Sequence, residues 1–289
     1  MTPTNEFDYT QAFSRNIGWI TKAEQETLRG KRIAIAGLGG VGGVHLLTLA
    51  RLGIGAFNIS DFDSFEIHNF NRQAGAMVST LGQPKAEVLK RMALDINPEL
   101  DIKVFPEGVN DNNIDAFLDG VDLYVDSLDY FAFGARKTVF PACERKSIPA
   151  TIAAPMGMGT AILNFLPGSM SFEDYFRWEG CGDDEMALRF LIGLSPALLQ
   201  RTYLADASAA NFGTQQVPST PMGCDMCAGV AATEALKILL NRGKISCAPR
   251  GFHFDAYRNK MAKTWRPFGN HNPIQRLAIM IAKRQLKNG

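Results

Sequence analysis

Two groups of residues in the first half of this 289-residue sequence have the chemistry to bind a nucleotide. The first is the stretch IAGLGGVGG at residues 35–43, which contains G-x-G-x-x-G directly after an apolar run. A tight strand-to-helix turn of this kind brings backbone N–H groups and a positive helix end against phosphate oxygens. Asp61 follows about 20 residues later, where a carboxylate can bind ribose hydroxyls of either NAD or ATP. The glycines expected to approach the phosphates are Gly37, Gly39, Gly40 and Gly42.

The second group of residues distinguishes an ATP site from a NAD site, because binding of NAD does not require these residues. Cleavage of ATP between its α- and β-phosphates develops negative charge on pyrophosphate, which fixed cations and a Mg²⁺-binding carboxylate stabilise. Arg72 and Lys85 could supply the cations, and Asp129, after the strand VDLYVDS, could bind the metal. The sequence therefore favours ATP with Mg²⁺. The positions between the second strand and the next helix that belong to this group are Asp63, Asn69, Arg72, Gln73 and Lys85.

Strands alternate with helices through this part of the chain. Apolar runs predict strands at 31–36 and 56–61 on either side of the helix that begins in the glycine loop. The same alternation continues to 149–155, which predicts an α/β fold with a Rossmann-like, doubly wound, mostly parallel sheet that binds ligands beyond the carboxyl ends of its strands. Only a short glycine turn precedes the strand in GTAILNFLPG, so we expect an antiparallel extension at one edge.

The whole chain, residues 1–289, is predicted to form a single domain. Its parts are an N-terminal arm and helix (1–30), a nucleotide-binding half (31–167), a crossover segment whose periodicity is hard to interpret (168–221) and a C-terminal helix, strand and amphipathic tail (222–289). The basic amphipathic helix at the C-terminus is best interpreted as packed on its own domain, with a membrane surface or a docking partner as the alternatives.

Composition limits the classes of function. Thirty basic and 29 acidic residues give a net charge of +1, so we expect no non-specific binding of nucleic acid. The N-terminus lacks the pattern of a signal peptide and no apolar run reaches the length of a membrane span, which predicts a cytoplasmic protein. Five widely spaced cysteines favour reduced thiols over a disulfide framework.

The motifs GLGGVGG, DFDSFEIHNFNRQ, GQPKAE and DLYVDSLD, in this order, resemble the MoeB/ThiF/HesA family, relatives of the ubiquitin-activating enzymes. The resemblance runs from about Phe13 to Asp129 and resumes at CAGVAATEALKILL and FHFDAY. It implies a homodimeric adenylyltransferase that uses Mg-ATP to activate a carboxylate, often the C-terminus of a ubiquitin-like or sulfur-carrier protein. A peptide or a tRNA-linked carboxylate is an alternative substrate.

The resemblance also implies roles for individual residues. Asp61 would bind ribose, Asp129 would bind Mg²⁺, and Arg15, in FSRNIG, would reach the ATP of the partner subunit. The residues that would surround the triphosphate are Asn69, Arg72 and Lys85. Tyr130 departs from the family, where asparagine usually follows the metal-binding aspartate.

Two other functions compete with adenylation. A NAD-dependent oxidoreductase would use the glycine loop and Asp61 but would leave Arg72, Lys85 and Asp129 without a role. A non-catalytic partner subunit of an activating enzyme would have no reason to keep the complete set of cations and carboxylates.

Three cysteines are candidate thiols for a step after adenylation, which itself needs none. Cys224 and Cys227 precede a helix, whose N-terminus would lower the thiol pKa, although two core thiols packed under the helix are the favoured interpretation. This single CxxC pair argues against a Cys₄ zinc site. Cys181 lies where thioester-forming relatives can place a cysteine, and its acidic neighbours would raise its pKa.

Overall fold

The fold is a twisted sheet of eight strands covered by helices on both faces, seen in a computed structural model that describes residues 6–206, 209 and 217–287. The strands are β1 (Arg32–Ala36), β2 (Ala56–Ser60), β3 (Asp101–Phe105), β4 (Leu123–Asp126), β5 (Ala150–Pro155), β6 (Gly159–Phe165), β7 (Arg250–Asp255) and β8 (Lys260–Trp265). Their order in the sheet is β3-β2-β1-β4-β5-β6-β7-β8.

The sheet changes character at β5. All pairs from β3 to β5 are parallel, whereas β6, β7 and β8 pair antiparallel. The predicted Rossmann-like fold with an antiparallel edge is therefore confirmed. The extension contains one strand more than predicted, because the side chains of β8 are mostly exposed and so give no apolar run in the sequence.

Ten α-helices lie in the described part of the chain. Their N-termini show why some begin where they do: Thr21 and Glu24 form a capping box before α2, and Thr220 caps α9, whose first residue is proline. The helices are α1 (Tyr9–Ala12), α2 (Lys22–Arg29), α3 (Gly42–Leu52), α4 (Lys85–Ile96), α5 (Ile114–Phe117), α6 (Phe133–Arg145), α7 (Phe172–Phe176), α8 (Asp183–Leu194), α9 (Pro221–Leu239) and α10 (Pro273–Lys287).

Two hydrophobic clusters hold the helices to the sheet. One contains residues of α3, α4 and α9 with β1 and β2, and the other contains residues of α6, α7 and α8 with β4, β5 and β6. Both faces of β1 and β4 are covered, as expected for parallel strands that read as continuous apolar runs. β1 pairs with β2 on one side and with β4 on the other. The strand order therefore runs outward in one direction from β1 to β3 and in the opposite direction from β4 onward. Doubly wound proteins bind ligands at this switch point.

The predicted crossover segment is ordered around aromatic side chains. Phe172, Phe176 and Trp178 are buried and contact one another and the rings of α6 and β6. Short helices with apolar side chains on several sides give no single periodicity, which explains why this part was hard to interpret from sequence. Residues 207–208 and 210–216 of the segment lie outside the described residues.

The C-terminal helix α10 packs against α8, with Gln275 and Ile279 buried. Ile274, Leu277 and Ile281 on another side of α10 remain exposed. Among the described residues, no helix combines the length and apolar character needed to cross a membrane.

His45, in α3, makes the stability of the fold depend on pH. Neither ring nitrogen has a partner in the described chain, and burial lowers the pKa of the imidazole to about 3. A lowered folded-state pKa means that stability is complete above the unfolded-state pKa of about 6.5 and is lost as the pH falls toward the folded-state value. Each pH unit below 6.5 lowers the free energy of unfolding by about 1.4 kcal/mol.

We therefore expect His45→Leu to reduce the loss of unfolding free energy between pH 7.5 and pH 5. The expected difference from the parent protein is about 2 kcal/mol in this interval. Urea unfolding at the two pH values measures it. An unchanged pH dependence in the variant would contradict a neutral, buried His45.

Candidate active site at the switch point

The glycine loop connects β1 to α3 and lies against the end of β4. Gly37 has a φ of +83°, a left-handed conformation in which a side chain is strained, and a Cβ there would collide with the carbonyl oxygen of Ser127. A Cβ at Gly42 would collide with the carbonyl oxygen of Gly37. The loop is thus closely packed where α3 begins. The first turn of a helix leaves its N–H groups without intrahelical partners, so this turn can bind an anion.

Asp61 lies directly beside this loop. One carboxylate oxygen accepts a hydrogen bond from the backbone N–H of Leu38 at 2.6 Å, and the other accepts from the N–H of Asp63 at 2.8 Å. Burial raises the pKa of Asp61, and these two hydrogen bonds oppose the rise. The carboxylate is therefore fixed between β2 and the loop, close to the position that the sequence predicted.

Lys85 and Asp63, both predicted to bind nucleotide, form an ion pair with each other. Nζ of Lys85 lies 2.9 Å from Oδ2 of Asp63, and the lysine is buried while the aspartate is exposed. Lys85 is the first residue of α4, in agreement with its predicted position at the start of the helix after the second strand. Any phosphate that reaches this lysine has to compete with Asp63, because one ammonium group would then serve two anions.

Three further predicted residues follow β2, but their surroundings differ. Asn69 is buried, and its side-chain oxygen accepts a hydrogen bond from the N–H of Glu66, so it shapes the local turn. The side chain of Arg72 reaches the glycine loop, since its Cγ and Cδ would lie 3.5 Å from a Cβ at Gly40. Gln73 also reaches the loop: its Nε2 would lie 3.6 Å from a Cβ at Gly39.

Two buried polar atoms beside the glycine loop have no hydrogen-bond partner in the described chain. They are Oε1 of Gln73 and Oγ of Ser127, and each residue is less than a tenth exposed. An unsatisfied buried polar group costs about 1–3 kcal/mol, so such groups need an explanation. Ser127 has its Cβ 3.1 Å from where a Cβ of Gly42 would lie. A polar ligand at the loop would account for both atoms, so the residues present fit a bound nucleotide.

Asp129 lies beyond the end of β4 and is exposed. Its Oδ1 accepts a hydrogen bond from the N–H of Phe131 at 3.0 Å, which leaves the other carboxylate oxygen toward solvent or a cation. In the part of the chain that the structure describes, no group of three or more histidine, cysteine or acidic side chains forms a metal cluster. A metal at Asp129 would therefore take its remaining ligands from phosphate oxygens and water, as Mg²⁺ commonly does.

The loop that carries Asp129 is held by a residue pair that the sequence analysis missed. Nε of Arg136 lies 2.9 Å from Oδ2 of Asp126, and both residues are 2% exposed. The guanidinium also donates to the carbonyl oxygens of Leu128 and Asp129, each at 2.7 Å, and stacks over the ring of Phe190 at 4.5 Å. An acidic residue at the end of an apolar strand and an arginine within an apolar helix were the signals that could have indicated this pair.

Arg15 is exposed in the N-terminal arm, in the short 3₁₀ turn Ser14–Asn16. No hydrogen bond or ion pair among the described residues joins it to the candidate site of its own chain.

Two of the candidate thiols lie in the core, as the favoured interpretation predicted. Cys224 and Cys227 are fully buried, and burial raises the pKa of Cys224 and raises that of Cys227 well above its usual range. The alternative, a pKa lowered by the helix N-terminus, is wrong, because desolvation outweighs that effect. The pKa of Cys181 is raised as predicted, but mainly by burial and then by Glu185. Sγ of Cys224 would lie 3.1 Å from a Cβ at Gly40, directly behind the glycine loop.

The fold and the site define a doubly wound α/β protein whose glycine loop, Asp61 and Arg72 lie together at the switch point of the sheet. The chain matches the model of the ThiF family over residues 13–275, and it belongs to that family. The resemblance stated from the sequence motifs is confirmed.

Two curated relatives illustrate the range of the family. The chain is 36% identical to tRNA threonylcarbamoyladenosine dehydratase of Bacillus subtilis over 138 residues, which are 47% of this chain and 54% of the relative. It is 31% identical to molybdopterin-synthase adenylyltransferase of Escherichia coli over 141 residues, which are 49% of this chain and 56% of the relative. The matched region thus spans about half the length of each relative.

A solved structure extends the likeness in fold to almost the whole chain. The crystal structure of E. coli MccB with ATP superposes with a TM-score of 0.66 and 20% identity, covering 94% of this chain and 75% of that one. At this identity the similarity shows the fold.

Proposed function

We propose that this protein uses ATP to adenylate a substrate carboxylate and releases pyrophosphate. The observation that carries the proposal is the convergence of Asp61, Arg72 and Gln73 on the glycine loop, where the orphaned buried atoms Gln73 Oε1 and Ser127 Oγ also lie. Membership of the ThiF family supports it, as does the relative named an adenylyltransferase.

The reaction needs positioning and charge stabilisation more than a side-chain nucleophile. A substrate carboxylate oxygen attacks the α-phosphorus in line, the bond from that phosphorus to the bridging oxygen breaks, and pyrophosphate leaves with the electron pair. The acyl-adenylate is the product that remains. In this site the N–H groups at the start of α3 bind phosphate oxygens, Asp61 binds the ribose, and Arg72 and Lys85 balance the charge on pyrophosphate. Asp129 would hold Mg²⁺, which neutralises phosphate charge when bound.

The substrate that we propose is the C-terminal carboxylate of a small carrier protein or peptide. In-line attack requires a carboxylate that can reach the α-phosphorus beside the glycine loop, and a flexible C-terminus can do so. The relative named for threonylcarbamoyladenosine in tRNA makes a tRNA-linked carboxylate the alternative substrate. We place the reaction in the cytoplasm, where reduced thiols and ATP occur together.

We further propose that the active form is a homodimer in which Arg15 completes the site of the partner subunit. The arm that carries Arg15 also exposes Trp19, which is 84% exposed. The segment that follows β2 also exposes large apolar side chains, and exposed apolar side chains are common where proteins associate. They include Phe62, Ile67, Met77, Val78 and Leu81.

Mixing two inactive variants tests the role of Arg15. An Arg15→Ala subunit keeps its own Asp129, and an Asp129→Ala subunit keeps its own Arg15, so a mixed dimer has one complete site. We expect partial recovery of adenylation in the mixture relative to either variant alone. Absence of recovery, with mixed dimers demonstrated by differently tagged subunits, would exclude a role across the interface.

Thermal unfolding with each nucleotide tests the proposed function against an NAD-dependent oxidoreductase. A ligand at 100 times its Kd stabilises the folded state by about 2.7 kcal/mol, so Mg-ATP should raise the melting temperature by several degrees. We expect no such shift with NAD⁺ or NADH. Stabilisation by NAD⁺ and none by Mg-ATP would overturn the proposal.

A further inference from the structure

A groove of about 830 Å³ lies between α8 and α10, apart from the glycine loop and Asp129. α8 separates the two places. The carbonyl oxygen of Ala187 accepts a hydrogen bond from the hydroxyl of Tyr130, and the ring of Phe190 stacks against the guanidinium of Arg136. This side of α8 therefore faces the loop that carries Asp129. Glu185 and Arg189 of the same helix line the groove instead.

The groove carries a marked excess of positive charge. Its cations are Arg189, Arg276, Lys283 and Arg284, and its lining contains one carboxylate, Glu185. That carboxylate is already shared, since Arg189 lies 2.7 Å and Lys283 lies 2.8 Å from its oxygens. Within the described chain, Arg276 and Arg284 are exposed and form no ion pair. The local excess exceeds the net charge of +1 of the whole sequence.

His271 lies in the same positive field. Its pKa is lowered by burial first and then by three guanidinium groups, those of Arg177, Arg189 and Arg276. Of these three groups, those of Arg189 and Arg276 line the groove. An anion placed in the groove would meet cations from both α8 and α10.

Apolar side chains accompany the cations. Ile279 is buried in the groove and Met280 is partly exposed at its wall. The neighbouring side of α10 exposes Ile274, Leu277 and Ile281, spaced as one helical stripe. A free phosphate compound would use the cations and leave this apolar surface in water. A peptide with both acidic and apolar side chains would cover both.

We propose that this groove binds an acidic, partly apolar peptide segment of a partner protein. Charge complementarity would bring the segment to Arg276 and Arg284 and fix its direction, while the apolar side chains of α10 would give contact area. Since α8 has the groove on one side and the Asp129 loop on the other, a partner bound here lies one helix away from the candidate active site. Binding to the groove requires no nucleotide, so its test is separate from that of the proposed function.

Fluorescence anisotropy with a short labelled peptide of glutamate and leucine tests the proposal. We expect this peptide to bind the full chain more tightly than a matched peptide in which glutamine replaces glutamate, and to bind less tightly as salt rises. The double variant Arg276→Gln/Arg284→Gln should bind it at least about tenfold more weakly. A control variant, Lys22→Gln/Lys244→Gln, removes two exposed cations that do not line the groove and should bind as the parent does.

Three outcomes would overturn the proposal. The first is equal affinity of the groove variant and the parent for the acidic peptide, with circular dichroism showing both folded. The second is equal affinity of the parent for the acidic and the glutamine peptides. The third is that the acidic peptide binds neither the parent nor the groove variant, while the parent binds single-stranded RNA or phosphatidylserine vesicles and the groove variant does not. This result would assign the groove to a nucleic acid or a lipid surface.

Discussion

Arg136→Met is expected to destabilise the protein by about 3–5 kcal/mol, because it leaves Asp126 as an unpaired buried charge. The loss goes beyond the ion pair: the carbonyl oxygens of Leu128 and Asp129 also lose a donor. Methionine keeps part of the aliphatic volume, so the change is mainly electrostatic. Denaturant unfolding measures the free energy of the variant and of the parent.

Arg145→Met is the matched control for this experiment. It places the same substitution at the end of the same helix, where the arginine is exposed and surface substitutions change stability by about 0.5 kcal/mol or less. A loss below about 1 kcal/mol for Arg136→Met would contradict the view that the Arg136–Asp126 pair holds the β4–α6 connection.

Asp129→Ala is expected to lower the rate of adenylation by ~10²–10³ while leaving stability unchanged. The carboxylate is exposed and one of its oxygens accepts only a local backbone hydrogen bond, so the fold does not depend on it. Exchange of labelled pyrophosphate into ATP measures the rate once the substrate is known. Without the substrate, the Mg²⁺ dependence of ATP binding gives the same information, and we expect the variant to lose it.

Glu144→Ala is the control, since it removes an exposed carboxylate from the end of α6, away from the glycine loop. It should bind ATP with the same Mg²⁺ dependence as the parent. An Asp129→Ala protein that also retained this dependence would remove Asp129 as the metal ligand and leave the rest of the site assignment intact.

The features that the sequence predicted best are those that depend on local backbone geometry. Gly37 needs a positive φ and Gly42 needs room against a carbonyl oxygen, so their spacing after an apolar run already defines the turn. Asp61 follows the next strand of the same unit and therefore lies beside that turn. Alternation of strands and helices likewise predicted the parallel half of the sheet.

What the sequence did not predict depends on burial, which distant segments create. For Cys224, near the start of α9, the sequence favoured a core thiol, but it gave no sign that the glycine loop, far away in sequence, lies against its Sγ; burial raises the pKa of this thiol. The ion pair of Lys85 with Asp63 and that of Arg136 with Asp126 similarly require the positions of two elements at once. Single residues gave no sign of the unpartnered atoms of Gln73 and Ser127, since these are properties of the packed site.

Hydrogen–deuterium exchange with and without Mg-ATP tests the central claim most directly, because it shows where the nucleotide binds without requiring the carboxylate substrate. We expect the nucleotide to slow exchange in the glycine loop and the first turn of α3, in the segment from Asp61 to Gln73 and in the loop from Ser127 to Asp129. NAD⁺ at the same concentration should leave these segments unchanged. Protection of the glycine loop by NAD⁺ and not by Mg-ATP, or Mg-ATP protection confined to other parts of the chain, would contradict an adenylation site at this switch point.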